Sequence, residues 1–264
     1  MPSLTLTILG ASPAAPNTGG ACSGYLARDG EANALIDCGS GSASRIAQYL
    51  PPSQLRGIAI SHLHPDHYFD LVPLYYILKF GEPRPAELGA RLPLHVPPGG
   101  REFFERFGRL ISDQPDMLDD VFDIREYAPG REWSVGGLTV TFHPVQHYVP
   151  SHAMRIRDST GATLTFSSDA APCPGLVEAA RGADAFLCES AMLDPSQDRP
   201  DPAQRGHMMA GEAGHIAREA GARQLLLTHY RSGDGFDARH RQAAEEAFGG
   251  RVELVKEGTT YPIN

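Results

Sequence analysis

Apolar residues along the chain fall into short, separated runs, and that pattern predicts many short strands with helices between them. Leu4–Leu9 reads as a strand that stops at the turn-rich stretch Gly10–Gly20, and Ala34–Ile36 reads as another. Ala43–Leu50 carries apolar residues at helical spacing. Gly57–Ile60 is a short apolar run ending at Ser61, and Phe69–Phe80 is apolar, aromatic and of helical length. Leu94–Val96 is predicted as a strand, Glu102–Leu110 as a helix, and the acidic stretch Asp113–Asp123 as a surface loop. Strand signals return at Leu138–Phe142, Ala153–Arg157 and Ala162–Phe166, the last two joined by the tight turn Asp158–Gly161. A helix near Gly175–Arg181, a strand Ala185–Cys188, a helix Gly211–Ala220 and a strand Gln224–Leu227 follow. A helix Asp237–Phe248, with Asp237 as N-cap, and edge strands Val252–Val255 and Thr259–Ile263 close the chain.

Strands at both ends with helices interspersed point to a layered α/β or α+β sandwich. One regularity goes further: metal-capable residues follow apolar strands. His62 follows Ile60, Asp169 follows Phe166, Glu189 follows Leu187 and His229 follows Leu227. Strand ends of a sheet layer lie close in space, so these residues are expected to converge on one site, and residues 1–264 to form one domain.

The densest chemistry is Ser61-His62-Leu63-His64-Pro65-Asp66-His67, an H-x-H-x-D-H pattern. Four candidate ligands within six positions suit a loop that aims several side chains at one point, and imidazoles with carboxylates are good zinc ligands. Composition narrows the setting. The 264 residues are 41% hydrophobic and 21% charged, which rules out a disordered or fibrous chain. No apolar run approaches the roughly 20 residues that span a bilayer. The N-terminus has no basic residue before Arg28 and reads as a strand rather than an export signal, so the expectation is a cytoplasmic protein with Cys22, Cys38, Cys173 and Cys188 as free thiols. A net charge of −9 disfavours extended nucleic-acid or anionic-membrane binding, unless metal ions supply local positive charge.

With this loop the sequence resembles the metallo-β-lactamase-fold hydrolases, whose signature is H-x-H-x-D-H after a short apolar strand. Leu35-Ile36-Asp37-Cys38-Gly39, His147, Ser168-Asp169 and Thr228-His229 match the family's further motifs. The resemblance implies an αβ/βα four-layer sandwich with two zinc ions between the sheets, Mn²⁺ or Fe²⁺ being alternatives. It assigns His62, His64 and His147 to one ion and Asp66, His67 and His229 to the other. Asp169 would bridge them with a hydroxide between, and Asp37 would orient a ligand histidine. His143 has the same parity as His147, but Pro144 suggests a break and His147 is preferred. His152 is left between a substrate contact and a solvated loop residue. His95, His215 and His240 are given no role, and Asp70 is read as a helix cap.

Within the fold, Glu189 and His207 point toward the ribonuclease Z-like branch, since His207 precedes the small-residue helix start Ala210-Gly211-Glu212-Ala213. The resemblance implies that His207, positioned by Glu189, protonates the leaving oxygen, which makes Asp66, His207 and Glu189 the catalytic candidates. The interval between His147 and Asp169 is only 22 positions, too short for the long arm of the transfer-RNA-processing enzymes. The expectation is therefore an arm-less phosphodiesterase acting on a small or cyclic nucleotide. Transfer-RNA 3′ processing comes second, and a lactone or thioester hydrolase or a non-catalytic metal-binding protein third. The apolar Tyr75–Phe80 stretch is left as core, substrate wall or the surface of a homodimer.

Overall fold

In the computed structural model, which describes residues 4–264 apart from Pro195, Gln197, Pro200 and Asp234, the strands form two seven-stranded sheets. The first runs, in spatial order, β14 (Thr260–Pro262), β1 (Leu4–Gly10), β2 (Gly24–Asp29), β3 (Ala32–Ile36), β4 (Gly57–Ala59), β5 (Leu92–Val96) and β6 (Phe122–Glu126). The second runs β13 (Arg251–Leu254), β12 (Gln224–Thr228), β11 (Ala185–Glu189), β10 (Thr163–Phe166), β9 (Ser151–Arg157), β8 (Leu138–Val145) and β7 (Glu132–Val135). Strands β3 to β6 are parallel to one another, as are β10 to β13.

A central core fills the space between the sheets, with Leu6, Tyr25 and Ile36 from one side and Val140, Met154, Phe166 and Leu187 from the other. Helices α1 (Ala43–Ile46), α2 (Pro65–Tyr68), α3 (Leu71–Phe80) and α4 (Gly100–Ser112) line the first sheet's outer side. Helices α5 (Pro174–Ala180), α6 (Ala210–Ala220) and α7 (Phe236–Phe248) cover the second. The result is the four-layer αβ/βα sandwich. Layering explains the sequence pattern: β3 and β11, covered on both faces, are buried along their whole length, whereas β8 alternates buried and half-buried residues from Leu138 to His143.

Several local expectations change. The strands β2, β6 and β7 carry too little apolar signal to stand out. The acidic stretch 113–123 is not merely a loop, because Met117, Leu118 and Val121 in it are buried beside Phe122 of β6. Helix α1 ends at Ile46, short of Leu50. Gly235, in a left-handed conformation, caps α7 in place of Asp237. Asp70 precedes α3 without capping it; its carboxylate instead accepts the Ala43 N–H at 2.9 Å, at the start of α1. In α3, Tyr75 and Leu78 are buried while Tyr76, Ile77 and Phe80 are exposed, so the stretch is part core and part surface. No helix among the described residues is long and apolar enough to cross a membrane.

Two buried histidines outside the H-x-H-x-D-H loop set an acid limit on stability. His95 stacks on Trp133 at 4.2 Å, and burial pushes its pKa down to about 4; burial does the same to His152. Above the ordinary value of 6.5 both are neutral, folded or unfolded, and contribute nothing to the pH dependence. Below it the unfolded chain takes up protons that the folded chain refuses, so stability is lost as pH falls from 6.5 toward about 4, by ~3 kcal/mol per histidine. Replacing His95 with Phe, which keeps the stack, is expected to flatten the fall in Tm between pH 7 and 4.5. Parallel Tm–pH curves for the two proteins would contradict this.

Candidate metal centre

The parallel strands β3, β4, β10, β11 and β12 all end at one rim of the sandwich, where open α/β sheets place their ligands. Asp37 follows β3, the 61–67 loop follows β4, Asp169 follows β10, Glu189 ends β11 and His229 follows β12. Pro65 starts α2 at the first helical position, so Asp66 and His67 turn into the rim together. The close approach of the two loops depends on Gly39, where a Cβ would lie 1.9 Å from the Asp66 carbonyl oxygen. Asp37, Ser168 and His229 hold left-handed backbone at φ 56°, 58° and 53°. Such strain persists where surrounding bonds over-determine it. Ser61 N–H and Oγ–H donate to the Asp37 carboxylate at 2.7 and 2.8 Å, and the His229 N–H donates to the Ala11 carbonyl at 2.9 Å.

Two groups of donors share Asp169. In the first, His62, His64 and His147 meet Asp169, with the Nε2 atoms of His62 and His147 each 3.1 Å from His64 Nδ1. Ligands of one tetrahedral zinc, bound at 2.0–2.1 Å, lie about 3.3 Å apart. The outer nitrogens are engaged: His147 Nδ1–H donates to the Gly206 carbonyl at 2.6 Å, and His62 Nδ1 faces the Ser61 and Ser168 hydroxyls at 3.1 and 3.4 Å. In the second group, His67 Nε2 lies 3.5 Å from Asp66 and 3.4 Å from Asp169, and His229 Nε2 lies 3.3 and 3.5 Å from the same carboxylates. Asp37 accepts from His67 Nδ1 at 2.7 Å, which turns Nε2 inward.

The electrostatics favour a cation. Burial opposes charge on Asp66 and Asp169, yet the neighbouring His229 and His67 hold both carboxyls below the usual carboxylate range. Burial keeps His62, His64 and His147 low, hence neutral with lone pairs available. Burial also opposes charge on His67, but Asp169 and Asp37 outweigh it and lift its pKa well above the ordinary value. His67 Nε2 and Asp169 Oδ1 are buried with no hydrogen-bond partner and lie 3.4 Å apart. Orphaned donor atoms of this kind, among imidazoles and ionised carboxylates, fit divalent metal ions.

A third grouping, Glu189 with His207 and His229, adjoins the second. Its carboxylate is already occupied: Glu189 accepts from the Ala170 and Ala191 N–H groups at 2.7 and 3.2 Å and from His207 Nδ1 at 3.0 Å. Glu189 therefore anchors a histidine rather than offering a free ligand atom. Burial works against charge on His207, and Glu189, helped by Asp169 and Asp198, pushes its pKa up to about 9.

The structure thus brings together His62, His64, Asp66, His67, His147, Asp169 and His229, with Asp37 behind them and Glu189 and His207 at one side. His143 lies apart on the outer face of β8, 3.3 Å from the Thr141 hydroxyl. Strand β8 runs straight through Pro144 to Val145, so no break occurs there. His152 is no solvated loop residue: it is buried on β9, edge-on to Tyr127, and its N–H donates to the Ser61 carbonyl at 3.2 Å. Sequence reasoning gave no role to Ser61, Ser168, the Gly206 carbonyl, Tyr148 or Asp198. Only Ser61, Ser168 and Tyr148 gave a signal, as immediate neighbours of His62, Asp169 and His147. Asp37→Asn is expected to weaken metal binding roughly 10- to 100-fold by releasing His67. Competition with a chromophoric chelator measures it, and an unchanged affinity would remove Asp37 from this role.

Comparison with known proteins agrees with the geometry. Residues 32–230 match the Beta-lactamase superfamily domain. The chain is 30% identical over 261 residues to the probable metallo-hydrolase YhfI of Bacillus subtilis, covering 98% of this chain and 99% of that protein. The crystal structure of YhfI superimposes with a TM-score of 0.83 at 28% identity, over 99% of both chains. A ribonuclease Z of Mycobacterium bovis is 29% identical over 273 residues, 95% of each chain. The short form of human tRNase Z shares the fold, with a TM-score of 0.75 at 20% identity over 98% of this chain and 99% of that one.

Proposed function

The chain belongs to the beta-lactamase superfamily and is a metallo-hydrolase of that fold related to YhfI and ribonuclease Z; from this premise we propose that it is a dinuclear zinc phosphodiesterase acting on a small or cyclic nucleotide. The observation that carries the reading is the Glu189–His207 pair, with His207 Nδ1 4.0 Å from Asp169, the carboxylate common to both donor groups. A single domain, residues 1–264, would hold one ion on His62, His64 and His147 and the other on Asp66, His67 and His229, with Asp169 between. Zinc suits these imidazoles, and Mn²⁺ or Fe²⁺ is within reach of the same ligands. Bound there, the ions supply Lewis acidity, acidifying water and offsetting phosphoryl charge.

The chain's own residues do the rest. Glu189 takes the Nδ1 proton of His207 as a hydrogen bond, which leaves the Nε2 proton for the leaving oxygen. The raised pKa keeps His207 charged at neutral pH, and cations bound beside it would bring that value down toward the working range. Asp37 and the Gly206 carbonyl fix the tautomers of His67 and His147.

A small substrate is favoured over transfer RNA by what separates His147 from Asp169: β9, β10 and the turn between them. That interval has no room for a long arm, and a charge of −9 gives little for an extended RNA to grip. The deciding experiment offers metal-loaded protein a panel of 3′,5′-cyclic nucleotides, dinucleotides, precursor transfer RNA, lactones and thioesters. Hydrolysis of the small phosphodiesters is expected. Efficient cleavage of precursor transfer RNA at low protein concentration would favour 3′ processing, and turnover confined to a lactone or thioester would overturn the phosphodiesterase reading.

A further inference from the structure

Beside the metal centre stands a construction that the chemistry above does not use. Tyr148 follows His147 directly, and its ring lies 5.0 Å from that of His147 and 5.6 Å from that of His207. Although 39% exposed, the ring is held from several sides. Its hydroxyl donates to Asp198. Gly206 lies flush against it, and a Cβ there would fall 2.5 Å from two ring carbons. The guanidinium of the exposed Arg199 stands over the ring at 4.9 Å from its centroid. Asp198 also accepts the backbone N–H groups of Arg199, Gly206 and His207, at 2.5, 3.0 and 3.2 Å. One carboxylate therefore ties the ring, the cation and the proton-donor loop into a unit.

Arg199 makes no ion pair with a carboxylate among the described residues. Arg205, the other arginine of this loop, is buried and committed to Glu212 at 2.6 Å. The ring distances put the Arg199 guanidinium at most about 10 Å from the imidazole centres of His147 and His207. A charged group seated on an aromatic ring, fixed through its own backbone and left without an acid, is a ready anion receptor. Two phosphates on one nucleoside fit within that limit.

We propose that Arg199, carried on Tyr148, is a specificity residue that receives a second anionic group of the substrate, so that preferred ligands carry two phosphates one nucleoside apart. The proposal rests on the phosphodiesterase reading of the metal centre. Calorimetric titration of the metal-loaded protein with thymidine 3′,5′-bisphosphate and with thymidine 5′-monophosphate tests it. The bisphosphate is expected to bind about tenfold tighter, the scale of one charge-assisted guanidinium–phosphate contact. Arg199→Ala should bring the two affinities within about twofold of each other, and Arg199→Lys should restore part of the difference. Equal affinities in the unaltered protein, or a preference that survives in Arg199→Ala, would overturn the proposal. Hydrolysis of bis(p-nitrophenyl) phosphate by the same preparation keeps the two failures apart: its absence counts against the phosphodiesterase reading, whereas hydrolysis without a bisphosphate preference counts against Arg199 alone.

Discussion

Asp169→Ala is expected to lose both metal and activity, with metal content falling below one ion per chain and kcat/KM for a phosphodiester dropping roughly 10⁴-fold or more. Asp169 is the one carboxylate common to both donor groups, and its Oδ1 is buried without a hydrogen-bond partner. Losing it leaves His62, His67 and His229 facing one another with less negative charge to hold a cation. Lewis-acid assistance is worth several kcal/mol, and each 1.36 kcal/mol is tenfold in rate. The fold should survive, because the backbone carbonyl of residue 169 still accepts the Ser151 hydroxyl at 2.9 Å. Elemental analysis alongside circular dichroism separates the outcomes. A folded variant that kept its full metal complement and rate would remove Asp169 from the centre.

The second large effect has a different signature. His207→Ala should keep the metal and lose 10²- to 10⁴-fold in kcat, the usual contribution of a positioned proton donor. His207 belongs to neither of the two main donor groups, and its Nδ1 is spent on Glu189. The deficit should shrink for an ester such as bis(p-nitrophenyl) phosphate, whose leaving group departs without needing a proton, and stay large for a nucleotide. An equal loss on both substrates would point to a binding or structural role. Together the two variants distinguish an enzyme from a metal-binding scaffold of the same fold, for which only the first would change anything measurable.

How much of this was legible in the chain depends on how local each signal is. His62, His64, Asp66 and His67 sit within six positions, so their convergence follows from one loop and the Pro65 helix start. Asp169, Glu189 and His229 could be found because each comes at the end of an apolar strand, and strand ends share a rim. His147 required a choice, and the structure separates it from His143 through the turn after β8. The bridge between Gln146 and Ala171 swings the chain inward, while His143 stays on the strand's outer face. Illegible were contacts that join distant segments through backbone atoms. Gln146 donates to the Arg205 carbonyl at 3.0 Å and His147 to that of Gly206, which zips residues 146 and 147 to the loop before α6. Carbonyl acceptors have no residue type to read. The missed strands have a similar cause: β6, Phe122-Asp-Ile-Arg-Glu126, is recognisable as a strand only once its neighbour β5 is known.

A dinuclear phosphodiesterase needs two metal ions, held as one unit, for hydrolysis. The most direct test is titration of metal-free protein with Zn²⁺ while bis(p-nitrophenyl) phosphate hydrolysis is followed. A rate that climbs to a plateau at two equivalents per chain is expected. A plateau at one equivalent, or no hydrolysis by the saturated protein, would contradict it.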